Sequence, residues 1–190
     1  MELRPRPGAA ARLNLFLIEV EAEVPRESAA ALTLTTPSER EIVITRSFKA
    51  PRELVFAAWT EPRHVKRWWG PNGFATPRCE IDLRVGGAYL IDMRGPDGTI
   101  YPTTGTYKEI TPPARLVYTE VFGCLGQPDK SSLVTVSFAE RDGVTTVTLH
   151  SLFDSLADRD AHIRIGVEKG WSECFEHLAA YLPKMHHDND

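Results

Sequence analysis

Six strand-like runs separated by turn-forming residues constrain the fold of this chain more than any other feature of its sequence. Short turns can join only neighbouring antiparallel strands, so the pattern predicts an antiparallel meander. The runs comprise residues 78–85, 88–94, 100–110, 115–122, 133–140 and 145–151. The segments between them include Gly86-Gly87, Pro96-Asp97-Gly98, Pro112-Pro113 and Arg141-Asp142-Gly143, which are typical of tight turns.

One further strand and two short helices are predicted ahead of the meander. Apolar side chains alternate over residues 42–48, as expected for a half-buried strand. Pro51 then suits the first position of a helix over 52–59, and a second short helix over 62–69 is closed by a Gly-Pro pair. Together with the meander, the first strand should form one curved antiparallel sheet of about seven strands.

A long amphipathic stretch follows the sheet and is expected to cover one of its faces. Over residues 158–182 the apolar side chains recur at spacings of three and four, which predicts one helix that ends at Pro183. The apolar stripe consists of Val167, Trp171, Cys174, Phe175, Leu178 and Leu182. Gly166 and Gly170 lie on one side of this helix, and each costs about 1 kcal/mol relative to alanine. Either the helix packs closely against a neighbour there, or the missing side chains leave room for a ligand or its entry.

These patterns predict a single α+β domain over residues 39–183. Residues 1–38 mix Pro, Gly, Ser and Arg and are interpreted as an N-terminal extension, partly disordered or holding one extra element over 13–24. Residues 184–190 are polar and are predicted to be a frayed tail.

Charge and cysteine content narrow the class of partner. A net charge of −4 without a dense basic patch argues against a nucleic-acid partner. Cys79, Cys124 and Cys174 are too widely spaced for a zinc signature or a disulfide framework, so we expect buried free thiols and a cytoplasmic location. We predict no metal and no cofactor.

Membrane and catalytic motifs are also missing from the sequence. The most apolar early run, residues 13–20, is too short to span a bilayer and is followed by acidic residues, which argues against a membrane partner. The sequence has no nucleophile elbow, no zinc-protease helix, no phosphate loop and no dinucleotide fingerprint. It therefore names no catalytic residue and favours a binding protein over an enzyme.

A set of aromatic residues on the predicted sheet and helices is the first candidate for a binding site. Between a sheet and its covering helix such side chains either fill the core or line a cavity, and both alternatives stay open. The set comprises Trp68, Trp69, Phe74, Tyr107, Tyr118, Trp171 and Phe175. Adjacent indoles on a short helical turn cannot both face one core, so Trp68 or Trp69 should face a different neighbour or a pocket mouth.

Polar residues interleaved with the strands are the second candidate. Asp82 and Arg84 alternate with apolar neighbours and face water if the apolar set faces the helix. In a strongly curved sheet a bulge could turn either of them inward, to anchor a polar head group. Glu120 faces the same choice, because the sequence does not determine the register of its strand.

Histidines complete the list of titratable candidates. His162 and His177 lie too far apart on the predicted helix to share a metal, and both are interpreted as surface or satisfied residues. His150 would need two partners that the fold supplies. If the chain were an enzyme, its buried acid or base would be Asp82, Glu120 or His150.

Several motifs of the chain resemble those of one known family. Residues 47–60 (SFKAPRELVFAAWT) and 65–71 (VKRWWGP) resemble the opening of bacterial domains related to the activator of the heat-shock protein (Hsp) ATPase, in the START-like, SRPBCC superfamily. Further similarities follow in order at residues 82–87, 96–98, 105–110, 115–119, 170–171 and 178–182. The resemblance covers residues 39–182 and implies the helix-grip fold, in which a curved antiparallel sheet surrounds a long C-terminal helix with a cavity between them.

The resemblance implies a range of functions rather than one, because fold-level analogy does not select an activity. The superfamily includes lipid and hormone carriers, polyketide cyclases and aromatases, and chaperone regulators. Our first hypothesis is a protein that binds a small hydrophobic or aromatic ligand, as a monomer or homodimer. The first alternative is a polyketide cyclase or dehydratase, and the second is a regulator of a chaperone ATPase or a stress-response protein.

Overall fold

One antiparallel sheet organises residues 31–125 and 130–185, the parts of the chain that this computed structural model describes. Its strands are β1 (Thr33–Thr35), β2 (Glu41–Phe48), β3 (Ala75–Ile81), β4 (Ala88–Arg94), β5 (Ile100–Thr111), β6 (Arg115–Phe122), β7 (Ser132–Arg141) and β8 (Val144–Leu152). The helices are α1 (Arg52–Thr60), α2 (Pro62–Trp68), α3 (Leu156–Arg164) and α4 (Val167–Met185), and Gly123–Leu125 forms a 3₁₀ turn. The predicted α+β helix-grip class is confirmed.

The strand order is β1-β2-β8-β7-β6-β5-β4-β3, so β2 pairs with the last strand rather than with the next one along the chain. β3 to β8 form the predicted meander, because each pairs with its neighbour in sequence. In β2 and β8 buried and half-buried residues alternate without interruption, which directs one face of the sheet to the interior. β1 adds an edge strand from the N-terminal extension; the element considered over 13–24 lies outside the described residues.

The first two helices form where proline permits them. Pro51 stands at the N-cap of α1 and Pro62 occupies the first turn of α2, where a missing backbone N–H costs nothing. Val55, Phe56 and Trp59 are buried on α1, and α1 contacts β7, β8 and α4. This arrangement brings Trp59 to the centre of the aromatic core.

The C-terminal stretch differs from its prediction in two ways. It forms two helices rather than one, because Gly166 adopts a φ of +83° and turns the chain between α3 and α4. The second of them also continues past Pro183 to Met185, so two residues assigned to a frayed tail are helical. A proline's φ is itself helical, so Pro183 removes one backbone hydrogen bond without ending the last turn. Residues 186–190 lie outside the described part.

The aromatic core gathers beneath α4 and around one tryptophan. The Trp59 ring stacks on that of Trp171 with centroids 5.9 Å apart and planes 6° apart. Phe138 of β7 meets Trp59 edge-on at 5.8 Å, and Phe175 of α4 meets Phe48 edge-on at 5.5 Å. These contacts hold α1, α4 and the sheet together, because large aromatics bury more apolar area than any other side chains. No helix in the described ranges combines the length and the hydropathy that a bilayer span requires.

Candidate functional site

A cavity of about 380 Å³ opens between the inner face of the sheet and the junction of α3 with α4. Its apolar wall is made by Ile42, Ile44, Trp69, Phe74, Met93, Phe122, Leu149, Phe153, Ile165, Val167 and Trp171. Most of these side chains come from the inward positions of strands, or from the segment after α2 and the start of α4. The volume falls in the range of about 300–1,000 Å³ that small-molecule sites occupy in proteins.

Trp68 and Trp69 illustrate how the wall is assembled. The indole N–H of Trp68 donates a hydrogen bond of 2.9 Å to the carbonyl of Ala58, and its ring is buried in the core. Trp69 is the C-cap of α2, where the backbone leaves the helix, and its ring lies on the cavity wall. There it meets Trp171 edge-on at 5.4 Å. The two adjacent indoles therefore face different neighbours.

The two glycines of the C-terminal stretch border the same cavity. Gly166 and Gly170 are both part of its lining, and a Cβ added at either position would meet nothing within 4 Å. Close packing against a neighbour therefore does not account for these glycines. Gly170 lies within α4, so its missing side chain leaves open a space that any other residue would occupy.

Glu120 carries the only carboxyl group on the sheet portion of the lining, among the described residues. It sits on β6 at an inward position, between Tyr118 and Phe122, and lies opposite Ser132 in the register of β6 with β7. The Tyr89 hydroxyl donates to Glu120 Oε2 at 3.3 Å. Burial raises the pKa of the Glu120 carboxyl to about 7, since the charged form loses hydration and gains only this hydrogen bond.

His162 of α3 also lies on the lining, although the sequence pattern had indicated a surface or satisfied residue rather than a cavity residue. Its Nδ1 lies 3.0 Å from the Asp158 carbonyl oxygen. A carbonyl oxygen can only accept, so Nδ1 carries the proton and Nε2 of the neutral ring keeps a free lone pair. The ring packs against Phe153 with centroids 4.5 Å apart, and burial lowers the pKa of the imidazole.

Other polar lining residues lie at the two ends of the cavity. Ser132 of β7 and Ser151 of β8 are buried hydroxyls on the sheet side. At the helix side, Glu173 accepts a hydrogen bond of 2.9 Å from the Asn72 backbone N–H, and Lys169 Nζ lies 3.9 Å from the Glu173 carboxylate. The helix side therefore carries one acid and one base, whereas the sheet side carries one acid.

The thiols of the lining are poor nucleophiles. Burial raises the pKa of Cys174 to about 12 and raises that of Cys124 as well, so both remain neutral thiols at physiological pH. Cys79 is also a free, buried thiol. No group of His, Cys, Asp and Glu in the described ranges could hold a metal ion.

The residues selected from the sequence divide into three groups in the structure. Trp69, Phe74, Glu120 and Trp171 line the cavity. Trp68, Tyr107, Tyr118 and Phe175 are buried in the core beside it. Asp82 and Arg84 lie exposed in the loop after β3, where Arg84 Nε and Asp82 Oδ2 are 2.8 Å apart.

The remaining acid and base candidates also point away from the cavity. His150 lies on the outer face of β8, with Nε2 at 2.7 Å from the Glu41 carboxylate. His177 of α4 contacts the Gly70 carbonyl and the Asn72 side chain. Glu120 is thus the one member of the proposed trio Asp82, Glu120 and His150 that faces the interior space.

One local signal could have identified His162 from the sequence. The Ser155 hydroxyl accepts a hydrogen bond from the Asp158 backbone N–H, and this Ser-x-x-Asp pattern marks a helix start. A helix that begins at 156 and meets Gly166 is separate from the one that follows. That division turns α3 toward the cavity and brings His162 with it.

Comparison with known proteins adds the relationships of this chain. The sequence model of a family described as "Activator of Hsp90 ATPase homolog 1-like protein" matches residues 49–183. A crystal structure of a Rhodobacter sphaeroides protein is similar with a TM-score of 0.73 at 23% identity, over 81% of this chain and 99% of that one. A solution structure of an Arthrobacter aurescens protein has a TM-score of 0.71 at 26% identity, over 83% of this chain and 93% of that one.

A third similar structure belongs to a Mycobacterium smegmatis protein. It has a TM-score of 0.71 at 25% identity and covers 80% of this chain and 97% of that one. No curated protein sequence matches this chain.

Proposed function

The chain belongs to the family of Activator of Hsp90 ATPase homolog 1-like proteins, and from this membership and the cavity geometry we propose that it binds a small, largely apolar molecule. The observation that carries the proposal is an open volume of about 380 Å³ with a predominantly apolar wall, which includes the half-buried carboxyl group of Glu120 on its sheet side. Protein interiors are normally packed without voids of this size, so the space has to be maintained by the fold.

The composition of the wall supports an apolar ligand. Aromatic rings contribute large, rigid contact surfaces, and Trp69 and Trp171 offer two ring planes at 82° to each other. Apolar ligand surface transferred from water into such a space gains about 25 cal/mol for each Å² removed from water. A ligand with one flat aromatic portion suits this geometry better than a purely polar one.

Entry of the ligand is proposed at the α3–α4 junction. Gly166 and Gly170 leave the space beside them open, and the exposed Ile165 lies between α3 and α4. α3 has no buried residue, so few contacts oppose its displacement when a ligand enters.

The test fills the cavity from its helix wall. Gly170→Leu adds a side chain where a Cβ meets nothing within 4 Å, and Ala180→Leu adds one at an exposed position of the same helix. N-phenylnaphthylamine, a neutral fluorescent probe, should bind wild type and Ala180→Leu alike and bind Gly170→Leu at least tenfold more weakly. If the probe does not bind wild type, or binds all three proteins equally, the proposal that the cavity binds an apolar ligand is refuted.

A cyclase or dehydratase activity is the second candidate, and the position of Glu120 favours it. A carboxyl group with a pKa of about 7 in an apolar cavity can exchange protons with a bound ligand near neutral pH. Acetophenone in deuterated water provides a simple test, with exchange of its methyl protons followed by NMR. Catalysed exchange in wild type that is lost in Glu120→Gln supports this candidate; equal rates with both proteins dismiss it.

Regulation of a chaperone ATPase stays a prediction. It requires an exposed apolar surface for the partner. Among the described residues, large exposed apolar side chains include Leu83 and Val85 in the loop after β3, and Leu156 and Ile163 on α3. A pull-down from a lysate with wild type and Val85→Ser, in which no chaperone is captured by either protein, would count against it.

A further inference from the structure

Resting on the proposed function, we propose that the cavity selects a ligand with a protonated amine on an apolar, aromatic-containing body. The amine would lie between Glu120 and His162, and the body against Trp69 and Trp171, because all four side chains line the same space.

The polar groups at this end of the cavity, Glu120 and His162, offer hydrogen-bond acceptors to a ligand. An ionised Glu120 carboxylate only accepts hydrogen bonds, and one of its oxygens already receives the Tyr89 hydroxyl proton. His162 donates from Nδ1 to the Asp158 carbonyl and therefore offers Nε2 as a second acceptor. A primary ammonium group carries three N–H donors and no acceptor, which complements two acceptors in one cavity.

The charge of an ionised Glu120 is not balanced by a protein cation. Within the described residues, no cation lies within ion-pair distance of Glu120. The cationic side chains that border this cavity or the small pocket beside Glu120 have other partners: Lys130 Nζ is 3.3 Å from Asp158, and Lys169 Nζ is 3.9 Å from Glu173. A half-buried carboxylate that has lost part of its hydration without gaining a counter-ion is costly, and a cationic ligand supplies the missing charge.

The groups around Glu120 do not offset that deficit. Tyr89 of β4 and Tyr118 of β6 stay protonated, because burial raises the pKa of both phenols well above its usual value. His162 of α3 stays neutral near pH 7, because burial lowers its pKa. Ser132 of β7 is uncharged. Lys130 and Asp158 border a small pocket that they share with Glu120, and they pair with each other at 3.3 Å. Glu120 is therefore the charged group without an ion-pair partner at this end of the cavity, among the described residues.

The aromatic wall of the cavity also favours a cation. A cation within about 6 Å of an indole face gains about 0.5–2 kcal/mol from the ring quadrupole. Trp69 and Trp171 lie on the wall at a centroid distance of 5.4 Å from each other. They can stack against an aryl body or stabilise the ammonium directly, and neither interaction favours an anion.

The experiment compares three ligands that share one body. Phenethylamine, phenethyl alcohol and hydrocinnamate carry an ammonium, a hydroxyl and a carboxylate on the same phenethyl group. Binding to the full chain is followed by quenching of tryptophan fluorescence and by ligand-detected NMR. At about pH 8, where Glu120 is ionised, the amine should bind at least tenfold more tightly than the alcohol, and the acid more weakly than both. At about pH 5 the amine should lose this advantage, because Glu120 then carries a proton while the amine stays charged.

Two variants separate the cavity from the general acidity of the protein surface. Glu120→Gln should abolish the preference for the amine over the alcohol. Glu168→Gln, at an exposed position on α4, should leave the preference intact. Equal binding of amine and alcohol to wild type overturns the amine inference and leaves the proposed function standing. Failure of all three ligands and of the neutral probe overturns the proposed function itself. A preference that survives Glu120→Gln overturns the inference as well.

Discussion

The Tyr89 hydroxyl donates a hydrogen bond of 3.3 Å to Glu120 Oε2, and it is the one hydrogen bond to this carboxylate among the described residues. One strand, β5, lies between these residues in sequence, and because β4 and β6 flank it in the sheet, the two side chains meet across it. A single long hydrogen bond offsets little of the cost of burying the charge, which is why the pKa of Glu120 rises to about 7. Both the ligand chemistry and the pH dependence of stability depend on this pair.

Stability should fall as pH rises through the titration of Glu120. The folded protein holds the proton more tightly than the unfolded chain, whose pKa is near 4.5, so the stabilisation is complete below about pH 4.5 and is lost as pH rises past 7. Between about pH 5 and pH 8 the contribution of Glu120 to the free energy of unfolding should fall by on the order of 2–3 kcal/mol. Urea unfolding at about pH 5 and pH 8 measures it, and Glu120→Gln should remove most of this pH dependence.

The matched control for this measurement is Glu168→Gln, an exposed carboxyl on α4. It should keep the pH dependence of wild type. An identical pH profile in Glu120→Gln and wild type would contradict the assignment of the raised pKa to Glu120.

Two glycine-to-alanine substitutions should change the free energy of unfolding in opposite directions. A Cβ at Gly105 of β5 would lie 1.8 Å from the Thr119 carbonyl oxygen and 2.5 Å from the Tyr89 ring, so Gly105→Ala forces β5 and β6 apart. We expect a loss of about 3 kcal/mol in the free energy of unfolding. Gly170→Ala meets open space inside a helix and should gain about 1 kcal/mol. Thermal unfolding of both variants checks the signs; a stabilised Gly105→Ala protein would be incompatible with the strand geometry.

The N-terminus of α3 should depend on its cap. The Ser155 hydroxyl accepts from the Asp158 N–H at 3.2 Å and lies 2.6 Å from the Asp158 carboxylate. Because α3 has no buried residue, Ser155→Ala should cost it about 1 kcal/mol locally and speed amide hydrogen exchange over 156–164. Exchange in α4 should stay unchanged, and Ser131→Ala serves as the exposed control. Unaltered protection of α3 would argue that other contacts hold it.

Substitution of Arg46 and substitution of Glu176 should change the free energy of unfolding by different amounts. The Arg46 side chain is 4% exposed and pairs with Glu176, which is 62% exposed, while Arg46 Nε and Nη1 have no hydrogen-bond partner in the described part of the chain. Arg46→Met should change the free energy of unfolding by less than about 1 kcal/mol or raise it, whereas Glu176→Gln should cost about 1–3 kcal/mol because it leaves a buried cation unpaired. Chemical denaturation compares the two, and a larger loss in Arg46→Met would reverse this expectation.

Much of the fold could be predicted because its signals are local. Turn residues and alternating apolar positions delimit β4 and β6 at the bounds that the structure has, and the stripe on α4 follows from its apolar spacing. The division of α3 from α4 was missed, since a glycine inside a helical pattern is compatible with a continuous helix, whereas Gly166 adopts a φ of +83° and ends α3. β1 was missed as a strand because three residues carry too little pattern.

The candidate site was less accessible from the sequence, as Glu120 and Asp82 demonstrate. Both are acids beside apolar neighbours on predicted strands, yet Glu120 lines the cavity and Asp82 pairs with Arg84 in the solvent. The difference is one of register and strand length: β3 ends at Ile81, which leaves Asp82 in a loop. His162 reached the lining only through the turn at Gly166.

The sequence by itself determined which segments extend, which coil and which side of each is apolar, because those properties depend on residues a few positions apart. Tertiary structure alone decided that the sheet and α4 do not close completely, and that Glu120, His162, Trp69 and Trp171 border the space between them. The physical reason is that an unfilled volume depends on the distance between elements remote in sequence, and no local periodicity records that distance.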